Sequence, residues 1–277
     1  MGKNAAAMSH PALSPQGLAP AARRFHLINV SPQKTGTRSI AGIFRRFRAA
    51  HEYQHDRATA AIHDRHFGHT DSESLKVFVL ARDAAGLLEV DSASFNHWYA
   101  DILTLLFPRA RFLLSVREPQ SWLESLLSHA QREVICAAKQ GQPFPPRFQR
   151  QADMIFDEFD TAWFRDDDAL QRRLPHLCDT LLGFWVDTHR RLIALLPEDR
   201  RLILSTGRLS QSLSQLADFV GVSENTLDSA SAHLHRRPDG LSILSVTRYR
   251  PMETAAGRTA ATLWRELDLE AGPAGER

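Results

Sequence analysis

The stretch Pro32-Gln33-Lys34-Thr35-Gly36-Thr37-Arg38-Ser39 gathers two cations, three hydroxyls and one glycine into a single short loop. An apolar run, Phe25 to Val30, precedes it, and a segment with helical spacing follows. A loop of that composition is suited to holding a phosphate-like anion. Gly36 lets the backbone turn its N–H groups inward, the new helix adds unpaired N–H groups and the positive end of its dipole, and Lys34 supplies a compact mobile charge. The order is not that of an ordinary nucleoside triphosphatase loop, Gly-x-x-x-x-Gly-Lys-Ser/Thr. Here the first glycine is missing and the lysine stands before the last glycine.

Two further groupings carry chemistry. Arg117 ends the apolar run Arg111 to Val116, where its planar fork can meet an anion, and Ser125 lies eight residues on, two turns along the following helix. His51-Glu52-Tyr53-Gln54-His55-Asp56 is dense in titratable groups and supplies candidates for a general base. The histidines at 63, 66 and 69, with Asp64, have no cysteine or well-spaced carboxylate to complete a tetrahedral set, so no metal site is expected and the region reads as a solvated or acceptor-facing loop.

The first loop resembles the 5′-phosphosulfate loop of sulfotransferases that use 3′-phosphoadenylyl sulfate (PAPS), whose loops commonly read Pro-Lys-x-Gly-Thr or Lys-x-Gly-Thr-x-Ser. The resemblance implies that Lys34 touches the bridging oxygen between phosphate and sulfate. It implies also that Thr35, Gly36, Thr37, Arg38 and Ser39 wrap the 5′-phosphate. Arg117 and Ser125 resemble the family's 3′-phosphate pair, and Arg236 or Arg237, in His233 to Gly240, matches its late basic loop. Phe219-Val220-Gly221-Val222 is similar to the family's Phe-Leu-Gly-Val/Ile scaffold. By the same likeness Glu52 is the counterpart of a catalytic glutamate in carbohydrate-acting members, with His51 or His55 as the other candidate bases. Glu89 to Phe95 resembles Glu-Lys-Ser-x-x-Tyr/Phe, which implies acceptor or sulfate contacts for Asp91 and Ser92. Trp98 is expected on the acceptor pocket, as one of several aromatic residues, with Tyr99, Trp122, Trp163 and Trp185, that could line it.

The implied reaction is transfer of a sulfuryl group from PAPS to a hydroxyl or amine of a small-molecule or glycan acceptor, leaving adenosine 3′,5′-bisphosphate (PAP). Such chemistry needs in-line placement, charge stabilisation and a base, and no divalent metal. The competing readings are an atypical phosphoryl-transfer enzyme, which would need a magnesium-holding acid beside Ser39 or Thr37, and a nucleotide-binding protein without catalysis.

These groups need a scaffold that brings strand ends together. Apolar runs at 25–30, 75–80, 111–116 and 201–205, with a short one at 86–90, predict strands, and helices are expected at 37–49, 96–107, from Pro119, 148–164, 169–196, 212–220 and 259–267. The alternation predicts a three-layer α/β/α fold with a central, mostly parallel sheet, whose ligands sit at the strands' carboxyl ends. Residues 1–24 read as a flexible leader, 25–250 as one α/β domain with a helical insert at about 148–196, and 251–277 as a tail.

Bulk properties agree. Hydrophobic residues make up 43% of the 277, enough for a large core, and a net charge of +2 disfavours a general nucleic-acid binder. Cys136 and Cys178 have neither zinc nor disulfide spacing and are expected as buried free thiols. No signal-peptide pattern and no bilayer-length apolar run occurs, so the expected setting is cytoplasmic, and a bacterial enzyme is favoured by the resemblance. Oligomeric state is not readable from the sequence.

Overall fold

The computed structural model describes residues 22–156, 159–233, 244 and 249–269. Its sheet has five strands: β1 (Leu27–Asn29), β2 (Ala49–His51), β3 (Val90–Ser92), β4 (Arg111–Val116) and β5 (Arg201–Ser205). All pairings are parallel and the order is β2-β3-β1-β4-β5. The chain leaves β1 toward β3 and β2, then returns to its other side for β4 and β5. The order therefore reverses between β1 and β4, and in such sheets ligands are received at the carboxyl ends of the strands at that point.

Helices cover both faces, as predicted. Their ranges are α1 (Thr37–Ile43), α2 (His55–His66), α3 (Ser72–Gly86), α4 (Ala100–Leu106), α5 (Pro119–Lys139), α6 (Pro146–Asp153), α7 (Asp167–Leu195), α8 (Leu213–Val220) and α9 (Ala255–Glu266). β4 shows why two layers are needed: Phe112, Leu114 and Val116 point into one core and Leu113 into the other. The larger core joins the sheet to Tyr99, Trp122, Trp185, Leu263 and Trp264, so α7 and α9 are part of the folded body. The smaller core holds Ile40, Ile43 and Phe44 of α1 and its end against Leu213, Leu216 and Val220 of α8.

Several elements differ from the sequence reading. The run at 75–80 is not a strand but the middle of α3. Asp71 caps that helix, accepting a hydrogen bond from the Ser74 N–H, and the buried residues Leu75, Val79 and Arg82 recur on one helical face. Val77 and Leu80 are left exposed, the opposite of what a central strand requires. α1 stops at Ile43 rather than Ala49, because the rings of Phe25, Phe44 and Phe47 pack together and turn the chain into β2. His63 and His66 belong to the last turn of α2, not to a loop. Cys136 is exposed on α5, contrary to expectation, while Cys178 is buried and its thiol is pushed up to about 12 by burial, with Asp179 adding to the shift. Both thiols are free. Among the described residues no helix is long and apolar enough to cross a membrane.

Candidate active site

The loop after β1 is held from three sides. Lys34 and Gly36 both adopt left-handed backbone angles, with φ 66° and 85°, so successive peptide groups curl into a concave arrangement of the kind that cradles anions. Gly36 is needed twice over. It tolerates the left-handed angle, and a Cβ there would approach Leu209 Cδ1 to 3.0 Å and Thr206 Cγ2 to 3.2 Å. No side chain caps α1 behind it, which leaves the first-turn N–H groups facing the loop. Thr35 is fully buried and its hydroxyl donates to the Pro32 carbonyl at 2.6 Å, so this threonine shapes the turn. Thr37 and Ser39 are buried on α1, and Arg38 is exposed.

Three groups from other elements grip the same loop, those of Trp122 and Ser92 fully buried. The Trp122 indole of α5 donates to the Gln33 carbonyl at 2.9 Å. The Thr206 hydroxyl, just past β5, donates to the Thr35 carbonyl at 3.1 Å and lies 2.8 Å from the Ser115 hydroxyl. The Ser92 hydroxyl donates to the Thr37 carbonyl at 2.6 Å and accepts from Asn29 Nδ2 at 2.8 Å. Thr206 and Ser115 were not singled out by sequence reasoning. Their only signal is position, at the carboxyl ends of β5 and β4.

Arg117 enters from the end of β4, the strand beside β1. Its Nη1 donates to the Lys34 carbonyl at 3.3 Å, and its own carbonyl accepts from the Trp185 indole at 3.2 Å. Burial lowers its pKa, opposed by Glu118 and Glu124, so the guanidinium stands partly stripped of water beside the loop after β1. The turn then caps α5: Glu118 accepts from the Gln120 and Ser121 N–H groups and Pro119 starts the helix, with half-buried Ser125 two turns along. Arg236 and Arg237 lie outside the described residues.

On the other side of the loop stands the acid–imidazole cluster. His51 Nε2 is 3.1 Å from the Thr37 hydroxyl and 3.9 Å from Glu52 Oε1. Glu52 Oε1 accepts from the Ser94 hydroxyl at 2.6 Å, and Oε2 lies 2.8 Å from His55 Nδ1. Glu52 itself is a non-glycine residue with φ 55°, the kind of backbone strain found at functional positions. Burial pushes its carboxyl up, but the hydrogen bond and charge of His55, the charge of His51 and the Ser94 hydroxyl together pull it down to about 2.

A depressed acid stabilises the fold above its unfolded pKa, and that stabilisation is lost as pH falls through the folded value. Glu52 therefore contributes acid sensitivity between about 4.5 and about 2. In urea melts at a series of pH values, Glu52→Gln should show a shallower loss of stability across that window than the parent protein. Equal slopes would mean that the carboxylate is not held this way.

Asp91 and Ser92 sit at the end of β3 but are buried, and both are engaged inside the framework. Asp91 pairs with Arg82 of α3 through two hydrogen bonds, 2.5 and 2.8 Å. Tyr99, Trp122 and Trp185 are fully buried. Trp98 faces elsewhere, onto a cleft beside α2 and α7. The structure thus brings Lys34 to Ser39, Arg117, His51, Glu52, His55 and Ser92 to one place and leaves Trp98 apart. Among the described residues no cluster of three or more His, Cys, Asp or Glu forms that could hold a metal ion.

The sulfotransferase domain family model matches residues 26–228, from β1 through the turns beyond α8. The chain belongs to the sulfotransferase domain family. The matched region contains the loop after β1, Glu52, Arg117 and Thr206, the whole of the described strand-end site of this sulfotransferase. Among solved structures, a sulfotransferase from Alicyclobacillus acidocaldarius is similar at 13% identity with a TM-score of 0.46, covering 92% of this chain and 98% of that one. No curated protein gives a significant match.

Proposed function

We propose that this sulfotransferase takes its sulfuryl group from PAPS and transfers it to a hydroxyl of a small-molecule or carbohydrate acceptor, releasing PAP. The observation that carries the reading is the convergence, across the sheet's switch point, of the curled loop after β1 and Arg117 after β4, with Arg117 Nη1 3.3 Å from the Lys34 carbonyl. Two anion-binding elements so arranged suit a nucleotide with a phosphate at each end of its ribose.

The cradle's residues fit such a donor. Loop N–H groups from Thr35 to Ser39 would receive the 5′-phosphate, and Arg117 with Ser125 the 3′-phosphate. PAPS supplies a sulfur centre with a phosphate leaving group. Lys34 would neutralise the charge that develops on the bridging oxygen as the sulfur–oxygen bond to phosphate breaks. Glu52 would orient the acceptor hydroxyl and receive its proton as the new oxygen–sulfur bond forms. Ser92 serves this reading as a brace for Thr37, and Asp91 as the anchor of its strand.

The test of the donor is calorimetric titration with PAP, with adenosine triphosphate and magnesium as comparison. PAP should bind, and Arg117→Ala should weaken it by about 10- to 100-fold, the loss expected when a charge-assisted pair to phosphate is removed. Binding of the triphosphate alone would replace this reading with phosphoryl transfer. PAP affinity unchanged in Arg117→Ala would remove the arginine from the site.

His51 is a second candidate for the base, favoured by its 3.1 Å contact with Thr37 in the phosphate loop. A carboxylate held near 2 is also a weak proton acceptor at neutral pH. The pH dependence of kcat separates the two. With Glu52 as base the rate should stay level on the acid side down to about pH 4, whereas an imidazole base should bring an acid limb at about 6 to 7. Glu52→Gln should lower kcat in the first case and leave the limb in place in the second.

A further inference from the structure

A cleft of about 470 Å³ lies between α2, the Asn96–Tyr99 turn and α7, within the size range of small-molecule sites. It is not the mouth of the strand-end site. Ile62, on its wall, is two helical turns from His55, about 10 Å along α2, and the fully buried residues Ala58 and Thr59 fill the turns between. On the sheet side the fully buried Phe95 ring, 5.5 Å from that of His55, closes the same gap.

The lining divides into an aromatic wall and a charged rim. Trp98 and Phe184 stand with ring centroids 5.6 Å apart, and both are only half buried, so each offers ring surface to the cleft. Arg65 and Arg191 hold the rim. Arg65 is paired with Asp101 at 2.9 Å. Arg191 instead places Nη2 on the His97 backbone carbonyl at 2.7 Å, and among the described residues no carboxylate lies within ion-pair distance of it. Its fork is thus oriented by a neutral backbone partner, and the carboxylate that acts on its charge from a distance, Asp101, is itself paired with Arg65. Thr188, 5% exposed, adds a hydroxyl to the lining, and Asp187 is the one carboxylate there. His66, also on the lining, has its pKa lowered by burial and by His63, which keeps it from adding charge at neutral pH.

We propose that this cleft is a second ligand site, for a small molecule bearing one carboxylate on a flat apolar body. The aromatic wall receives the flat body by stacking, and the oriented fork of Arg191 receives the carboxylate. Of the two rim cations Arg65 is already paired, which leaves one guanidinium fork, that of Arg191, for one carboxylate rather than for a doubly charged phosphate.

The probe is 2-naphthoate, titrated calorimetrically into the full chain, with 2-naphthalenemethanol as its neutral counterpart. A ligand of that size in a cleft of this kind should bind one to one with Kd on the order of 10⁻⁴ M. The alcohol should bind at least about tenfold more weakly. Arg191→Gln, which keeps an amide donor for the His97 carbonyl, should weaken naphthoate by about tenfold or more, whereas Asp187→Asn, at an exposed position, should tighten it several-fold. Opposite signs at two neighbouring positions are what a binding charge produces and a packing defect does not. Saturating PAP should leave naphthoate affinity unchanged. The proposal is overturned if no saturable binding occurs at millimolar naphthoate, if PAP displaces the probe, or if Asp187→Asn fails to tighten it.

Discussion

Lys34→Ala should lower the rate at saturating donor by on the order of 10² or more while leaving the fold intact. Lysine and alanine bear the same cost of the left-handed backbone at position 34, since both carry a Cβ, so the loop keeps its shape. The ties that hold it, from Trp122 to the Gln33 carbonyl, from Thr206 to the Thr35 carbonyl and from Arg117 to the Lys34 carbonyl, engage backbone and survive the change. On the proposed reading, what is lost is a positive charge at the point where the leaving oxygen gains electrons. PAP affinity should therefore fall much less than kcat, because that charge matters most in the transition state. Lys34→Arg should restore little, since the planar fork is larger and differently placed than an ammonium group. The comparison needs kcat at saturating donor and calorimetric PAP affinity for each variant. A kcat within a few-fold of the parent would remove Lys34 from the chemistry.

The largest effect on stability should come from Arg82→Met. Arg82 and Asp91 form a pair with side chains 4% and 8% exposed, joining α3 to β3 beneath the strand-end site. Arg82 also donates from Nε to the Tyr53 carbonyl at 3.0 Å, next to Glu52. Burial alone would lower the arginine's pKa, yet Asp91 holds it above its ordinary value, so the pair stays charged. Removing one partner leaves the other as a buried, unpaired charge, at a cost of about 3–5 kcal/mol. The double variant Arg82→Met/Asp91→Val should recover much of that, because two apolar side chains leave no orphaned charge. Recovery should be incomplete, since the Tyr53 carbonyl loses its donor in both variants. Urea melts of the two single variants and the double variant close the cycle. A loss of less than about 1 kcal/mol for Arg82→Met would mean that Asp91 finds water or another donor.

How much of this was legible beforehand depended on whether the signal was local. β4 and the start of α5 were read to the residue, because a six-residue apolar run is followed closely by a proline that suits a helix's first turn. The parallel sheet and its two helical faces followed from the alternation of such runs. α3 was misread because Leu75 to Leu80 is too short to separate a strand from a helix by periodicity, and the deciding cap at Asp71 lies outside the run. β2 escaped notice because Ala49, Ala50 and His51 have no apolar signature, and their place at the sheet edge is set by pairing with β3.

The site divides the same way. Lys34 to Ser39 and Arg117 announce themselves in consecutive residues, so their meeting could be expected from strand order. The Ser94 bond to Glu52 and the chain from Ser115 through Thr206 to Thr35 join distant segments, and no spacing rule foretells them. Trp98 was read for its type alone, and type does not say which side of Phe95 an indole will face.

The two tryptophans that hold the loops after β1 and β4 have a practical consequence. Trp122 touches the backbone just before Lys34, and Trp185 touches that of Arg117, each through its indole N–H. Indole emission responds to such hydrogen bonds, so two of the five tryptophans are internal optical reporters, one on each loop. A shift of either loop on nucleotide capture would be visible in the protein's own fluorescence, without a label and before an acceptor is known.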